Sequence, residues 1–400
     1  MKRILFFLLL TAPLWSTAND GVYYANGNHL IPITETDISV RKEVLTITRV
    51  GSQCLVDVYY EFFNPAAAKT LLVGFEAADP YPCYDPEIYE KAYPNHPFIF
   101  DFTVEMNGKR LDYEVAHVDN FKPSNWNERT GQPEYYSDGK FVTIDVKEYL
   151  DTLRGNEYYM AAGIYYAYHF QAHFQPGLNI IHHTYRYELS VVAGYNYYLP
   201  YVLTAANRWA NHQIDDFTLI LDMGDRQSFF VQPYFYDSIN EWKIEGAGRM
   251  HRYTDEGVSW DSIPSIMFHI RQGKAVFHKD NFHPKGELFI YNPRSFYYPY
   301  SAEKEKKQIA CFSPYYSNPW EEYLTQEEHP DDLKSLPYTR EERRILRNLP
   351  FAQRGYCFKN AQLQNFYNAT NWYTPDSSYT PDLETLSPEE RRWVEFWSER

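Results

Sequence analysis

The sequence predicts a mainly β protein, antiparallel and built as one or two β-sandwich-like units, followed by a small α-helical C-terminal domain. Three observations carry that expectation. Apolar and polar side chains alternate along many short segments before residue 292, the period of a half-buried strand. Aromatic residues are abundant, with 38 Tyr, 26 Phe and 9 Trp in 400 residues, and such rings suit pleated, half-buried surfaces. Helix-start signals gather only after residue 336.

Residues 1–18 read as a cleavable export signal. Lys2 and Arg3 precede the apolar run from Ile4 to Leu10, and Ser16, Thr17 and Ala18 supply the small residues of a cleavage site. The run is shorter than the roughly 20 apolar residues a bilayer span needs. No later segment is long and apolar enough to be a membrane helix. The expected location is therefore periplasmic, cell-surface or extracellular.

Residues 19–292 form the β-rich region. Cys54, Val56, Val58, Tyr60 and Phe62 share one strand face, and Asp57 and Glu61 share the other. Phe102, Val104 and Met106 alternate likewise, then Asn107-Gly108 supplies the positive φ of a type I′ turn. Leu111, Tyr113 and Val115 continue the pattern beyond it, predicting a hairpin. The alternation returns at Tyr185–Val191, Phe217–Met223 and Ile266–Ile270, and Gln175-Pro176-Gly177 reads as a turn between paired strands. Short helices are expected near 146–154 and 202–211. The polar stretch 122–140 marks a subdivision of the region or a long loop within it. Residues 293–335, rich in Tyr and Pro and then acidic, read as an irregular connector.

The C-terminal domain, residues 336–400, has two helix starts. Thr339 and Glu342 form a capping box ahead of Ile345, Leu346 and Leu349. Ser387-Pro388-Glu389-Glu390 is the second helix start, with Ser387 as N-cap and proline at the first helical position.

Charge excludes one class of partner. The formal net charge is −15, and removal of Lys2 and Arg3 with the signal makes it −17. Residues 336–400 carry nine basic and nine acidic side chains, so the mature excess lies entirely before them. An acidic surface repels phosphate, so no nucleic-acid partner is expected.

Chemistry is harder to read. The sequence contains no G-x-S-x-G elbow, no H-E-x-x-H and no Walker loop. The four cysteines, Cys54, Cys83, Cys311 and Cys357, permit two disulfides, and proximity favours Cys54–Cys83 and Cys311–Cys357. Free buried thiols are the equal alternative. His169 and His173 share a strand face, and His183 lies past the presumed hairpin turn, so the three are a candidate metal set. Solvated or hydrogen-bonded imidazoles are the plainer reading. Asp79, Asp85, Glu87 and Glu90 form an acidic loop without the ligand spacing of a known calcium loop. No cofactor is expected.

A family resemblance enters at the C-terminus. Arg347-Asn348-Leu349-Pro350-Phe351-Ala352-Gln353-Arg354-Gly355-Tyr356-Cys357-Phe358-Lys359 resembles the signature of the YARHG domain. Leu363-Gln364-Asn365-Phe366-Tyr367, Trp372-Tyr373-Thr374-Pro375 and the final helix continue it, over residues 338–399. Of the five name-giving residues only Ala352 and Gly355 match; Phe351, Gln353 and Arg354 replace Tyr, Arg and His. The resemblance implies a small helical module of exported bacterial proteins, with cell-wall binding as a suggested role. Arg354, Trp372 and Tyr373 are its candidate ligand-binding residues, and core packing of the two rings is the competing expectation. The β-rich region is similar to uncharacterised exported bacterial proteins.

The sequence thus points to a non-enzymatic envelope protein that binds peptidoglycan, another glycan or an envelope protein partner. The alternatives are a secreted hydrolase with a site assembled from distant residues, and a structural subunit of an envelope complex.

Overall fold

A computed structural model of the chain describes residues 30–32, 37–77, 91–118, 123–127, 132–135, 165–192, 195–201, 203–253, 264–293, 300–301, 306–307 and 338–398. The export signal, Cys83, Cys311, the acidic loop at 79–90 and the helix expected at 146–154 lie outside these residues.

In chain order the strands are β1 (Leu30–Pro32), β2 (Ser39–Val50), β3 (Gln53–Asn64), β4 (Lys69–Ala77), β5 (Ile99–Met106), β6 (Lys109–Arg110) and β7 (Glu114–Val118). Two short strands follow, β8 (Pro123–Asn127) and β9 (Gln132–Tyr135), and pair with each other. Then come β10 (Tyr165–Phe174), β11 (Gly177–Glu188), β12 (Ser190–Val192), β13 (Tyr195–Tyr201), β14 (Ile214–Asp222) and β15 (Gln227–Val231). The series ends with β16 (Trp242–Tyr253), β17 (Ser265–Phe282), β18 (Leu288–Pro293), β19 (Tyr300–Ser301) and β20 (Lys306–Lys307). Three α-helices close the chain: α1 (Arg340–Gln353), α2 (Ala361–Asn368) and α3 (Pro388–Phe396).

The expected β architecture with a helical C-terminal module is what the chain adopts. A 12-stranded sheet runs β12-β13-β18-β15-β17-β14-β2-β3-β11-β5-β6, with β16 on the other edge of β17. A four-stranded sheet runs β1-β4-β10-β7. Period-two burial is regular where the sequence promised it: in β3, residues 54, 56, 58, 60, 62 and 64 are buried and their neighbours are not. The inner faces of both sheets share one core, where the Phe62 ring lies 5.8 Å from Phe174 and 4.5 Å from Trp209.

Three features depart from the simple antiparallel expectation. First, β2 and β14 run parallel. Second, β10 and β11 do not pair with each other. β10 joins β4 and β7, while β11 joins β3 and β5. The Gln175-Pro176-Gly177 turn is thus a corner between sheets, held by Asn179, whose amide donates to the Gln175 and Gly177 carbonyls. Third, Asn107 and Gly108 take the predicted positive φ values, 52° and 76°, but β6 is only two residues long. The chain then crosses to the small sheet as β7. The helix expected at 202–211 is a short 3₁₀ turn, Thr204–Arg208.

β17 is 18 residues long and serves two neighbours along one edge, β15 at residues 266–270 and β14 at residues 275–282. Between these halves Gly246 and Gly273 face each other across β16 and β17 with φ values of 128° and 102°. A Cβ on Gly273 would lie 2.1 Å from the Glu245 carbonyl oxygen, so only glycine fits.

Candidate ligand groove and the C-terminal module

The predicted capping box and the predicted Ser387 N-cap are both present, and the second start also closes into a box. Thr339 Oγ1 accepts from the Glu342 amide while Glu342 accepts from the Thr339 amide; Ser387 and Glu390 repeat the arrangement. The module then builds its own core from Leu346, Leu349, Leu363, Tyr367, Trp372, Tyr373 and Trp393.

Pro350 lies inside α1 and has no amide hydrogen to give the carbonyl four residues back. That carbonyl, of Leu346, accepts instead from Trp393 Nε1 at 2.8 Å. A proline in the first helix is thus answered by a tryptophan in the last. Gly355 follows α1 at φ 86°. A Cβ there would meet the Thr374 carbonyl oxygen at 2.7 Å and Asp376 at 2.9 Å, because Asp376 donates its amide to the Gly355 carbonyl.

The candidate ligand-binding residues of this module are built into its interior. Arg354 makes a two-pronged ion pair with Glu390, at 2.9 and 2.8 Å, with both side chains largely buried. Trp372 and Tyr373 are buried in the core, and the Tyr373 hydroxyl donates to the Tyr356 carbonyl. None of the three presents a face to a ligand. Core packing, the competing expectation, describes both rings, and Arg354 joins α1 to α3.

The histidine set is not brought together. Because β10 and β11 belong to different sheets, His169 and His173 lie on the outward face of β10, and His183 points into the core. His173 pairs with Thr70 across β4. His183 stacks on Tyr185, and burial pushes its pKa down to about 3, which keeps it neutral. Among the described residues the one cluster with metal-ligand spacing is Asp216, His278 and Asp280, on the exposed face of β14 and β17. Asp216 is already paired there with Lys42 at 2.6 Å. Cys54 and Cys357 are free thiols, and no disulfide joins described residues. Cys54 is fully buried on the inner face of β3, where desolvation suppresses its ionisation.

A groove of about 410 Å³ opens on the outer face of the small sheet. Its position follows from the crossover after β6. Residues 111–113 leave the large sheet, and β7 then pairs with β10 so that Glu114 sits opposite His169. On the far side Leu72 sits opposite Gln171. Leu72, Leu111 and Tyr113 give the groove apolar walls, and Asp112, Glu114, His169 and Gln171 give it polar ones. Tyr113 is braced edge-on by Phe102, with ring centroids 4.9 Å apart. Partial burial lowers the pKa of His169 against the opposing pull of Glu114, so at neutral pH the imidazole is uncharged and both donates and accepts. Asp112 and Glu114 form no ion pair among the described residues. The groove therefore offers hydrogen-bond acceptors, one amide and apolar ledges side by side. Sequence reasoning picked out His169 for a metal and passed over the rest. The alternation of Leu111, Tyr113 and Val115 already placed Asp112 and Glu114 on a wet face, but not beside β10.

The module also touches the β region. Arg271 of β17 pairs with Asp376 at 2.7 Å, with both side chains mostly shielded. Arg249 of β16 donates to the Thr370 carbonyl, and Asn371 Nδ2 lies 3.1 Å from His251 Nε2.

Residues 316–399 match the YARHG domain family, a domain found in exported proteins. No curated protein matches the chain. Among solved structures it is similar to a "putative nutrient binding protein" from Legionella pneumophila subsp. pneumophila. Identity is 15%, the TM-score is 0.48, and the alignment covers 95% of this chain and 99% of that one. Baculovirus P35 is more distant, at 8% identity and a TM-score of 0.23 over 64% of this chain and 96% of that one. Both likenesses are too remote to bear on function. Among the described residues no helix is long and apolar enough to cross a membrane.

Proposed function

We propose that this is an exported, non-enzymatic bacterial envelope protein that binds a cell-wall glycan in the groove that residues 111–114 form with β10 and β4. The observation that carries this reading is the composition of the groove. Sugar hydroxyls need closely spaced acceptors and donors, and Asp112, Glu114, Gln171 and neutral His169 provide both. Sugar ring faces need apolar ledges, and Leu72, Leu111 and Tyr113 provide them. The YARHG match supports the setting, and the burial of Arg354, Trp372 and Tyr373 moves the binding surface away from that module.

The experiment is isothermal titration of the full mature chain with soluble peptidoglycan fragments, beside Gln171→Ala and Asp112→Asn. Saturable binding that either substitution weakens about tenfold, the worth of one hydrogen bond to a charged group or a well-placed amide, supports the groove. Binding that both variants leave intact, or no binding, overturns it.

A further inference from the structure

The C-terminal module rests on a patch of the β region that is unusually basic for so acidic a chain. Residues alternate along β17: Ile266, Phe268 and Ile270 enter the main core, while Met267, His269 and Arg271 face the other way. On β16, Arg249 and His251 are the residues that reach the module. The register places Arg249 opposite His269. His251 and His269 stack nearly parallel, with ring centroids 5.2 Å apart and 13° between planes.

Four side chains that are or can become cations thus meet at this contact: Arg249, His251, His269 and Arg271. Among the described residues the following groups face them. From the module come Asp376, already paired with Arg271, the neutral Asn371 and the Thr370 carbonyl. Tyr373 lies near Arg249. From β15 comes Ser228, 2.6 Å from His269 Nδ1. Tyr253 on β16 has its ring edge toward His251, 6.4 Å away. Among the described residues Asp376 is the carboxylate paired within this cluster.

We propose that the module is an acid-releasable cap on the outer face of β16 and β17, held while the stacked His251–His269 pair is uncharged. Two consequences of protonating His251 work together. Its Nε2 becomes a donor facing the Asn371 amide nitrogen, so that hydrogen bond is lost unless the amide turns over. Turning the amide does not remove the second consequence, a new positive charge stacked on His269 and beside Arg249 and Arg271.

The direction of the pKa shifts agrees. Burial lowers His251, and burial, His251 and Arg249 together hold His269 well down. A histidine whose pKa is lower when docked favours the docked form once deprotonated. Docking is therefore strongest above the ordinary histidine pKa of about 6.5 and weakens as pH falls below it.

The test is hydrogen exchange on the full chain at pH 7.5 and 5.0, corrected for intrinsic rates, beside His251→Gln. Glutamine keeps an acceptor for Asn371 and cannot titrate. The expected result is at least a tenfold loss of protection at pH 5.0 in residues 249–253, 264–271 and 365–376, with β2 and β3 unchanged and the variant flat. Equal protection at both pH values, or an equal loss in the variant, overturns the proposal. Should His251→Gln not fold, the His251 ring resonances of the unmodified chain decide: titration below 6.5 supports the proposal, and titration at or above 6.5 refutes it.

Discussion

Glu43 is a carboxylic acid placed on the inner face of β2, between Val40 and Leu45, with almost no exposure. It sits opposite Tyr60 on β3 and hydrogen-bonds to it, and Tyr60 in turn meets Tyr201. Burial pushes the Glu43 pKa up to about 8, and the Tyr60 hydrogen bond only partly opposes this. The acid is therefore protonated in the folded protein at neutral pH, whereas an unfolded Glu ionises near pH 4.5. Since the folded form binds the proton more tightly, this residue stabilises the fold most at low pH. That contribution falls from about pH 4.5 and is gone above about pH 8. Glu43→Gln keeps the shape and a hydrogen bond to Tyr60 without a titrating proton. Chemical denaturation from pH 5 to 9 should show the wild type losing stability relative to the variant as pH rises, by a few kcal/mol in order of magnitude. Parallel curves for the two proteins would show that Glu43 is ionised in the fold.

At the scale of elements, α1 and α3 are joined by two linked devices. Arg354 and Glu390 close a shielded ion pair, and Trp393 Nε1 fills the acceptor that Pro350 leaves open at Leu346. Trp393→Phe retains most of the ring but strands that buried carbonyl, at a cost of about 1–3 kcal/mol. Urea melts followed at the module's tryptophans should shift accordingly, while far-UV signals from the sheets should not. An unshifted melt would mean that water reaches Leu346. Much of this level was legible beforehand. The alternation in Cys54–Phe62 and the Thr339 and Ser387 caps are local patterns, and local patterns encode local structure. What stayed hidden depends on pairing between distant segments. Nothing near Pro176 states that the two strands it joins belong to different sheets, and that fact separates His169 from His183. Nothing near Asp112 states that β7 will lie against β10, and that fact makes the groove. Arg354 and Trp372 looked like ligand residues because a buried partner such as Glu390, 36 residues away, has no signature of its own.

Among the described residues the two largest hydrophobic cores, one across the sheets and one within residues 338–397, share no residue. Among the described residues they are linked by polar contacts: an ion pair, a hydrogen bond from Arg249 to a carbonyl, and the His251–Asn371 contact. A core joined to another only by polar contacts should unfold largely on its own, because the cooperative unit is set by shared apolar burial. Residues 336–400, expressed alone, are therefore expected to fold and melt cooperatively at a lower temperature than the same module in the full chain. The difference measures docking, since each 1 kcal/mol shifts the Tm of a domain of 60–100 residues by about 4–8 °C. Asp376→Asn in the full chain removes the ion pair to Arg271 and should bring the module's transition down toward that of the fragment. Differential scanning calorimetry at pH 7.5 distinguishes the cases. A full chain that melts in one transition, insensitive to Asp376→Asn, would mean that apolar burial elsewhere couples the cores, and the polar contact would then be a consequence of docking and not its cause.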